Sequence, residues 1–228
     1  MKARLKQEKS TQSDHPIRRI FEYDKNLLPN KYIASLESES HDLETALQKT
    51  GLTVGYPAWN LLYYSLLSHL NVCNRRTLIV ETGTNWGFST IILAQALKDS
   101  GLEGLVWTVD IDQRVIETAK DNLKKAGLLE KVVFNCGDSL TELKKLVKKE
   151  KFIDFAFLDG NHDTPYVVED FSIVYSRVVA AQGKIYLDNT QTPSVSKGIK
   201  SLKKSYGGNW IEFKNCSWKT NGQIIWQA

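Results

Sequence analysis

From Thr77 onward the chain alternates short runs rich in β-branched and aromatic residues with longer amphipathic stretches, and no other feature narrows its fold as much. Runs at 77–82, 105–110, 131–135, 152–158 and 184–188 read as strands; segments at 89–97, 113–126, 139–149, 166–179 and 194–206 read as helices. Five consecutive strand–helix units call for parallel strands, because a crossover long enough to hold a helix returns the chain to the same edge of the sheet. The last segments break this rhythm. Residues 210–214 and 222–226 are strand-like, and Asn221-Gly222 ahead of the second is a signal for a tight hairpin.

The expected fold class is therefore α/β: a Rossmann-like, doubly wound, mostly parallel seven-stranded sheet with a C-terminal antiparallel hairpin and N-terminal accessory helices. Helices are expected at 31–49 and 57–70, the second opened by Pro57 at its first turn. Residues 1–30 form a polar arm interrupted by His15-Pro16 and Leu28-Pro29. Residues 31–228 make one domain, divided into a helical cap (31–76) and a core (77–228).

Of the 228 residues, 42% are apolar and 25% charged, the balance of an ordinary globular chain. The apolar stretch at 57–70 is shorter than the roughly 20 residues a membrane span needs. The basic N-terminus has no apolar segment behind it, so neither a signal peptide nor an anchor is expected, and the location expected is cytoplasmic. Cys73, Cys136 and Cys216 are widely spaced, which suggests reduced, structural thiols rather than disulfides or a zinc knuckle. The formal charge of +4 gathers in runs at the N-terminus, 144–151 and 197–204, a pattern of solvated helix faces that makes nucleic acid an unlikely partner.

The first strand, TLIVET, runs directly into GTNWGFST and then a helix, so Gly83, Thr84, Asn85 and Gly87 occupy the turn where backbone approaches a ligand. The glycines lie four apart with Glu81 before them, unlike the GxGxxG of dinucleotide sites. A carboxylate aimed into that loop repels a pyrophosphate and suits a cationic ligand such as the ammonium and sulfonium of S-adenosylmethionine. Asp110 ends the second strand, placed to accept the hydroxyls of a ribose, while Asp112 reads as a helix cap. Gly137-Asp138-Ser139 ends the third, where a polar side chain could meet an adenine edge or Ser139 could simply cap the next helix.

Glu81, Gly83, Gly87, Ser89, Asp110 and the Gly137-Asp138-Ser139 turn, in this order, resemble the cofactor half of the class I S-adenosylmethionine methyltransferases over about residues 77–228. FAFLDGNHDTPY followed by GKIYLDN resembles, more narrowly, the metal-dependent O-methyltransferases, both the catechol and caffeoyl-CoA type and the macrolide-sugar type with a DGxH motif. The resemblance implies a divalent metal on Asp159, Asp188 and Asn189, a cofactor contact from Asp159, and Val54 and Gly55 lining the cofactor. It also implies that His162 stands where one subtype carries Lys and the other His. An imidazole there can take a proton from a substrate hydroxyl, or else bond locally.

Two carboxylates and an amide oxygen suit Mg²⁺ or another hard cation. Asp-Asn in place of Glu-Asp, together with the His, mixes the two subtypes. The expected activity is Mg-assisted O-methylation of a small-molecule hydroxyl, with a possible homodimer. The alternatives are a metal-independent methyltransferase acting on RNA or protein, and a non-catalytic S-adenosylmethionine-binding protein. Trp86, Tyr56, Tyr166 and Trp210 are expected to pack in the core.

Overall fold

The computed structural model describes residues 30–38, 58–213 and 222–227. Its elements, in chain order, are α1 (Lys31–Ser38), α2 (Ala58–Leu70), β1 (Thr77–Thr82), α3 (Phe88–Ser100), β2 (Gly104–Asp110), α4 (Gln113–Lys125), β3 (Val132–Cys136), α5 (Ser139–Lys149), β4 (Phe155–Leu158), α6 (Thr164–Ala180), β5 (Lys184–Leu187), α7 (Pro193–Ser205), β6 (Asn209–Phe213) and β7 (Gln223–Gln227). The seven strands form one sheet in the order β3-β2-β1-β4-β5-β7-β6. Strands β1 to β5 pair in parallel, and β7 runs antiparallel between β5 and β6. The α/β fold expected from the alternation is the fold observed.

Strand β1 is buried along its whole length, which is why TLIVET is apolar without a two-residue period. Alternate side chains still choose opposite faces. Ile79, Phe155, Phe157 and Tyr186 pack with α2 and α3; Leu78, Val80, Ala156, Leu158, Ile185 and Leu187 pack with α5, α6 and α7. Helix α2 is apolar on most sides because it lies over α3 rather than facing water, with Trp59, Leu61, Leu62, Leu66, Leu67 and Leu70 buried. Among the described residues no helix is long and apolar enough to cross a membrane.

Several boundaries differ from those expected, for physical reasons. Strand β4 starts at Phe155, not at 152: Phe152 is exposed with the Arg75 guanidinium 4.7 Å over its ring, and the Ile153 N–H donates to the Arg177 carbonyl at 3.1 Å. Thr220 and Asn221 of the expected tight turn lie outside the described residues. Phe213 pairs with Gln223, which leaves residues 214–222 as the connection. Gly222, at φ +48°, serves a different contact: its carbonyl accepts the Thr190 N–H at 3.1 Å, and a Cβ there would stand 2.6 Å from Thr190 Oγ1. Of the helix expected at 31–49, Lys31–Ser38 is observed and the remainder lies outside the described residues, as do most of the arm, Cys216 and Tyr56.

Between β1 and β4 the strand order reverses direction, and in an open α/β sheet that reversal leaves a crevice outside the carboxyl ends of the two strands. Gly83 closes the floor of this crevice. Its φ is +85°, and a Cβ would stand 2.2 Å from the Asp159 carbonyl oxygen, so the loop after β1 lies backbone to backbone on the loop after β4. Gly83→Ala is expected to lose more than about 2 kcal/mol of stability, combining a left-handed penalty of about 1–2 kcal/mol with this overlap. Gly101→Ala, at φ +72° with nothing within 4 Å, should lose only the first part. Urea unfolding of the two variants measures the difference, and equal losses would show that the contact is not tight.

Candidate active site

Four strand ends come together at the crevice. The Gly83 N–H donates to the Val109 carbonyl at 2.9 Å, the Gly137 N–H to the Asp110 carbonyl at 2.9 Å, and the Asp159 N–H to the Thr82 carbonyl at 3.2 Å. These bonds continue the parallel ladder for one more residue, so the loops after β1, β2, β3 and β4 leave the sheet in register.

The glycine loop is shaped by two glycines and a carboxylate. Gly87, at φ +80°, begins α3, and a Cβ on it would stand 2.9 Å from Leu123 and 3.0 Å from Ala119 of α4. Asn85 sits at φ 45°, and its N–H donates to Asp110 Oδ2 at 2.9 Å; Asp110 Oδ1 accepts the Asp112 N–H at 3.1 Å. Asp110 thus ties the loop to the end of β2 while standing at the crevice, and Asp112 caps α4 through the Arg114 N–H at 2.8 Å.

Glu81 is not where its place in sequence suggested. Its carboxylate lies beneath the loop, fully buried, accepting hydroxyl hydrogens from Ser89 at 2.6 Å, Thr108 at 2.7 Å and Thr90. Thr84 Oγ1 extends the network to Thr108 Oγ1 at 2.6 Å. Burial pushes the Glu81 carboxyl up to about 7 against the pull of the three hydroxyls. In this arrangement Glu81 and Ser89 brace the loop from inside. Thr90 and Thr108 were missed in the sequence; Thr108 shares the alternating register of β2 with Asp110, which could have marked it.

At the third strand end Asp138, rather than Ser139, caps α5: its Oδ2 accepts the Thr141 N–H at 3.0 Å and its Oδ1 accepts the Tyr166 hydroxyl at 2.9 Å. The Ser139 hydroxyl donates to Asp170 of α6 at 2.9 Å. Asp170 is buried, and burial raises its carboxyl to about 6, with Ser139 opposing the shift. Trp86, 39% exposed within the glycine loop, does not pack in the core as expected; Trp210 does lie against Phe171, stacked at 5.5 Å, and Cys136 is a free thiol exposed at the end of β3. Val54 and Gly55 lie outside the described residues.

Asp159, His162, Asp188 and Asn189 are brought together at the ends of β4 and β5. Asp159 Oδ1 lies 3.1 Å from His162 Nε2 and accepts Asn189 Nδ2 at 2.8 Å; the Asn189 amide is also 3.2 Å from His162 Nε2. Asp188 Oδ1 accepts the Asn189 N–H and Gln223 Nε2, both at 2.7 Å. Asn189 takes up φ +54°, which asparagine tolerates better than most residues and which turns its amide back toward Asp159. Gln223 comes from β7, far along the chain, and nothing in the sequence marked it.

The electrostatics of this cluster favour a cation. Burial, then the Asp159 charge, raise the Asp188 carboxyl to about 7, and the hydrogen bond to Asp159 raises the His162 imidazole above its usual range. Two carboxylates thus share this cluster with a half-exposed imidazole and the Asn189 amide, and a hard cation fits such oxygen donors. Asn189 presents its amide nitrogen to Asp159 here, so its oxygen would serve a cation after a half turn of the amide, an exchange of nearly isosteric ends.

Glu81, Asp170 and Asp188 are all raised, so from about pH 4 to about pH 7 the folded chain keeps protons the unfolded chain has released, and stability falls as pH rises. Glu81 contributes on the order of 3 kcal/mol to that fall. Glu81→Gln should flatten the slope in urea unfolding between about pH 5 and about pH 7. An unchanged slope would mean that Glu81 titrates normally.

Residues 80–190 match the family described as a methyltransferase domain. A tapetum-specific methyltransferase of Arabidopsis thaliana is 32% identical over 150 residues, 64% of this chain and 60% of the relative. A catechol O-methyltransferase of Niastella koreensis is 27% identical over 194 residues, 78% of this chain and 84% of the relative. The chain spans 57% and 60% of the lengths of two Arabidopsis relatives it matches. Among solved structures, an O-methyltransferase from Streptomyces achromogenes in complex with S-adenosylmethionine has the same fold, with a TM-score of 0.67 at 20% identity over 87% of this chain and 90% of that one. The reversal point, the glycine loop and the strand-end carboxylates agree with these similarities, which support a methyltransferase domain over residues 80–190 that resembles the class I S-adenosylmethionine-dependent O-methyltransferases of the catechol and caffeoyl-CoA type.

Proposed function

We propose that this protein transfers a methyl group from S-adenosylmethionine to a hydroxyl of a small molecule, assisted by a divalent cation of the Mg²⁺ class. The observation that carries the reading is the meeting of Asp159, His162, Asp188 and Asn189 directly beside the glycine loop, since Gly83 lies on the Asp159 backbone. Asp110, at the loop rim, is the residue to accept ribose hydroxyls, with carboxylate lone pairs left beyond the two N–H groups it already holds. The loop backbone around Gly83, Thr84 and Asn85 supplies the close approach that a cofactor needs.

Asp159, Asp188 and Asn189 would hold the cation. Bound there, it supplies Lewis acidity that lowers the pKa of an acceptor hydroxyl. His162 is the base: with Nε2–H donating to Asp159 at 3.1 Å, the other ring nitrogen takes the hydroxyl proton and passes it to solvent, to which the half-exposed ring has access. Asp159 orients the ring and stabilises the imidazolium. The acceptor class that suits two neighbouring oxygen-binding positions is a vicinal diol, as in a catechol or a sugar.

Calorimetry with S-adenosylhomocysteine, followed by turnover assays on catechol and sugar diols with Mg²⁺, tests the reading. Asp110→Ala is expected to weaken S-adenosylhomocysteine binding about tenfold or more, the value of a charge-assisted hydrogen bond. Asp159→Ala should keep that binding yet lose turnover about a hundredfold or more, as should chelation of the wild-type chain. Absence of S-adenosylhomocysteine binding, or turnover indifferent to both chelator and Asp159→Ala, would refute the proposal.

A further inference from the structure

The opposite end of β4 carries a second cluster that the methyl-transfer reading does not use. Asp154 immediately precedes β4 and Asp159 immediately follows it, so the two ends lie about 16 Å apart along an extended strand. Asp154 is fully buried. The last turn of α2 ends beside it: the Cys73 N–H donates to the Leu70 carbonyl at 3.0 Å, and this turn brings Cys73 Sγ to 3.4 Å from His69 Nε2. Asp154 Oδ1 stands 3.8 Å from each of these two atoms. His69 is buried and Cys73 half-buried, which leaves a path from solvent through the thiol.

We propose that His69 Nε2, Cys73 Sγ and Asp154 Oδ1 form a binding site for a borderline-soft divalent metal, zinc in preference to the hard cations, with a fourth position open to water. Triangle geometry supports this. Tetrahedral zinc, with bonds of about 2.0 Å to nitrogen and oxygen and about 2.3 Å to sulfur, separates its ligand atoms by roughly 3.3–3.6 Å. The sulfur–nitrogen separation of 3.4 Å already fits, and the two separations of 3.8 Å to Asp154 Oδ1 need a contraction of roughly 0.3–0.5 Å.

The carboxylate is already oriented for the task. Arg75 donates to Oδ1 at 2.6 Å and to Oδ2 at 3.2 Å, and the Leu78 N–H donates to Oδ2 at 2.8 Å. Of the four lone-pair positions, those bonds leave one on Oδ1, the oxygen beside His69 and Cys73. Outer partners that fix a ligand in this way are the usual support of a metal site. A thiolate and an imidazole in one set select zinc-like metals over magnesium. Binding forms the sulfur–metal bond and releases the thiol proton to solvent, and it fastens the end of α2 to the start of β4.

The test uses Co²⁺ as a visible stand-in for zinc on the purified full chain after metal removal. Expected are a sulfur-to-cobalt charge-transfer band with intense d–d bands of tetrahedral type, displacement by Zn²⁺, and loss of the band in Cys73→Ser. His69→Gln should weaken binding at least about tenfold. Cys136→Ser and Asp159→Ala should leave the band in place. Independently of any variant, Zn²⁺ should slow alkylation of Cys73 at least about tenfold while leaving Cys136 unaffected, read by peptide mass mapping. A band that is absent or that survives Cys73→Ser, or alkylation of Cys73 at the same rate with and without Zn²⁺, would overturn the proposal.

Discussion

The approach of Gly83 to the Asp159 carbonyl is the constraint from which the rest of the crevice follows. In a doubly wound sheet the loops on either side of the reversal point diverge, one running to helices on one face and the other to helices on the opposite face. Here they touch before they part. Because Gly83 carries no side chain and sits at φ +85°, the glycine loop rests on the loop after β4, and the candidate cofactor and cation positions become neighbours. Any side chain at Gly83 would separate the two half-sites by about the width of a methyl group, and displacements of about 1 Å already cost rate when reacting groups must align.

Carboxylates give the crevice its character. Glu81, Asp110, Asp138, Asp159, Asp170 and Asp188 lie within or beneath it, and among the described residues the imidazole of His162 is the group that ion-pairs with Asp159. The molecule meets this in two ways. Glu81 and Asp170 are withdrawn from solvent and held by hydroxyls, so that burial raises their carboxyls and reduces their charge. Asp159 and Asp188 stand at neighbouring strand ends, and Asp188, though also raised by burial and by the Asp159 charge, is stabilised in its ionised form by any cationic ligand bound beside it. The hydroxyl network beneath the loop has a mechanical effect as well, since Thr108 and Thr84 couple β2 to the glycine turn through short bonds.

Strand β4 is short but has chemistry at both of its ends. Its residues Phe155, Ala156, Phe157 and Leu158 are wholly committed to the two cores, so polar side chains can appear only where the strand stops. Asp159 opens to the crevice and Asp154 to the cluster under α2. The two differ in donor character: oxygen-rich at the carboxyl end, with nitrogen and sulfur at the amino end. That difference is what would sort a hard cation from a borderline one within a single chain.

The order of elements, the class of fold and the identity of most residues around the crevice were legible in the sequence, because hydrophobic period and glycine placement are local properties. DGNH and LDN identified Asp159, His162, Asp188 and Asn189 through resemblance, and the structure brings these residues together. What the sequence could not decide was the direction in which a side chain turns once the chain is packed. Glu81 reads as a ligand in one dimension and becomes an internal brace in three, because Thr108 arrives from the neighbouring strand and Ser89 and Thr90 from the helix that follows. Asn221-Gly222 reads as a tight turn, yet Gly222 serves a contact with Thr190 that exists only after β7 has inserted beside β5. His69, Cys73 and Asp154 carry no ligand spacing along the chain, since 81 residues separate the thiol from the carboxylate. Sequence fixes what is periodic and local; only tertiary packing, which joins residues from distant strands and excludes water from between them, decided which polar groups hold the fold and which remain to act.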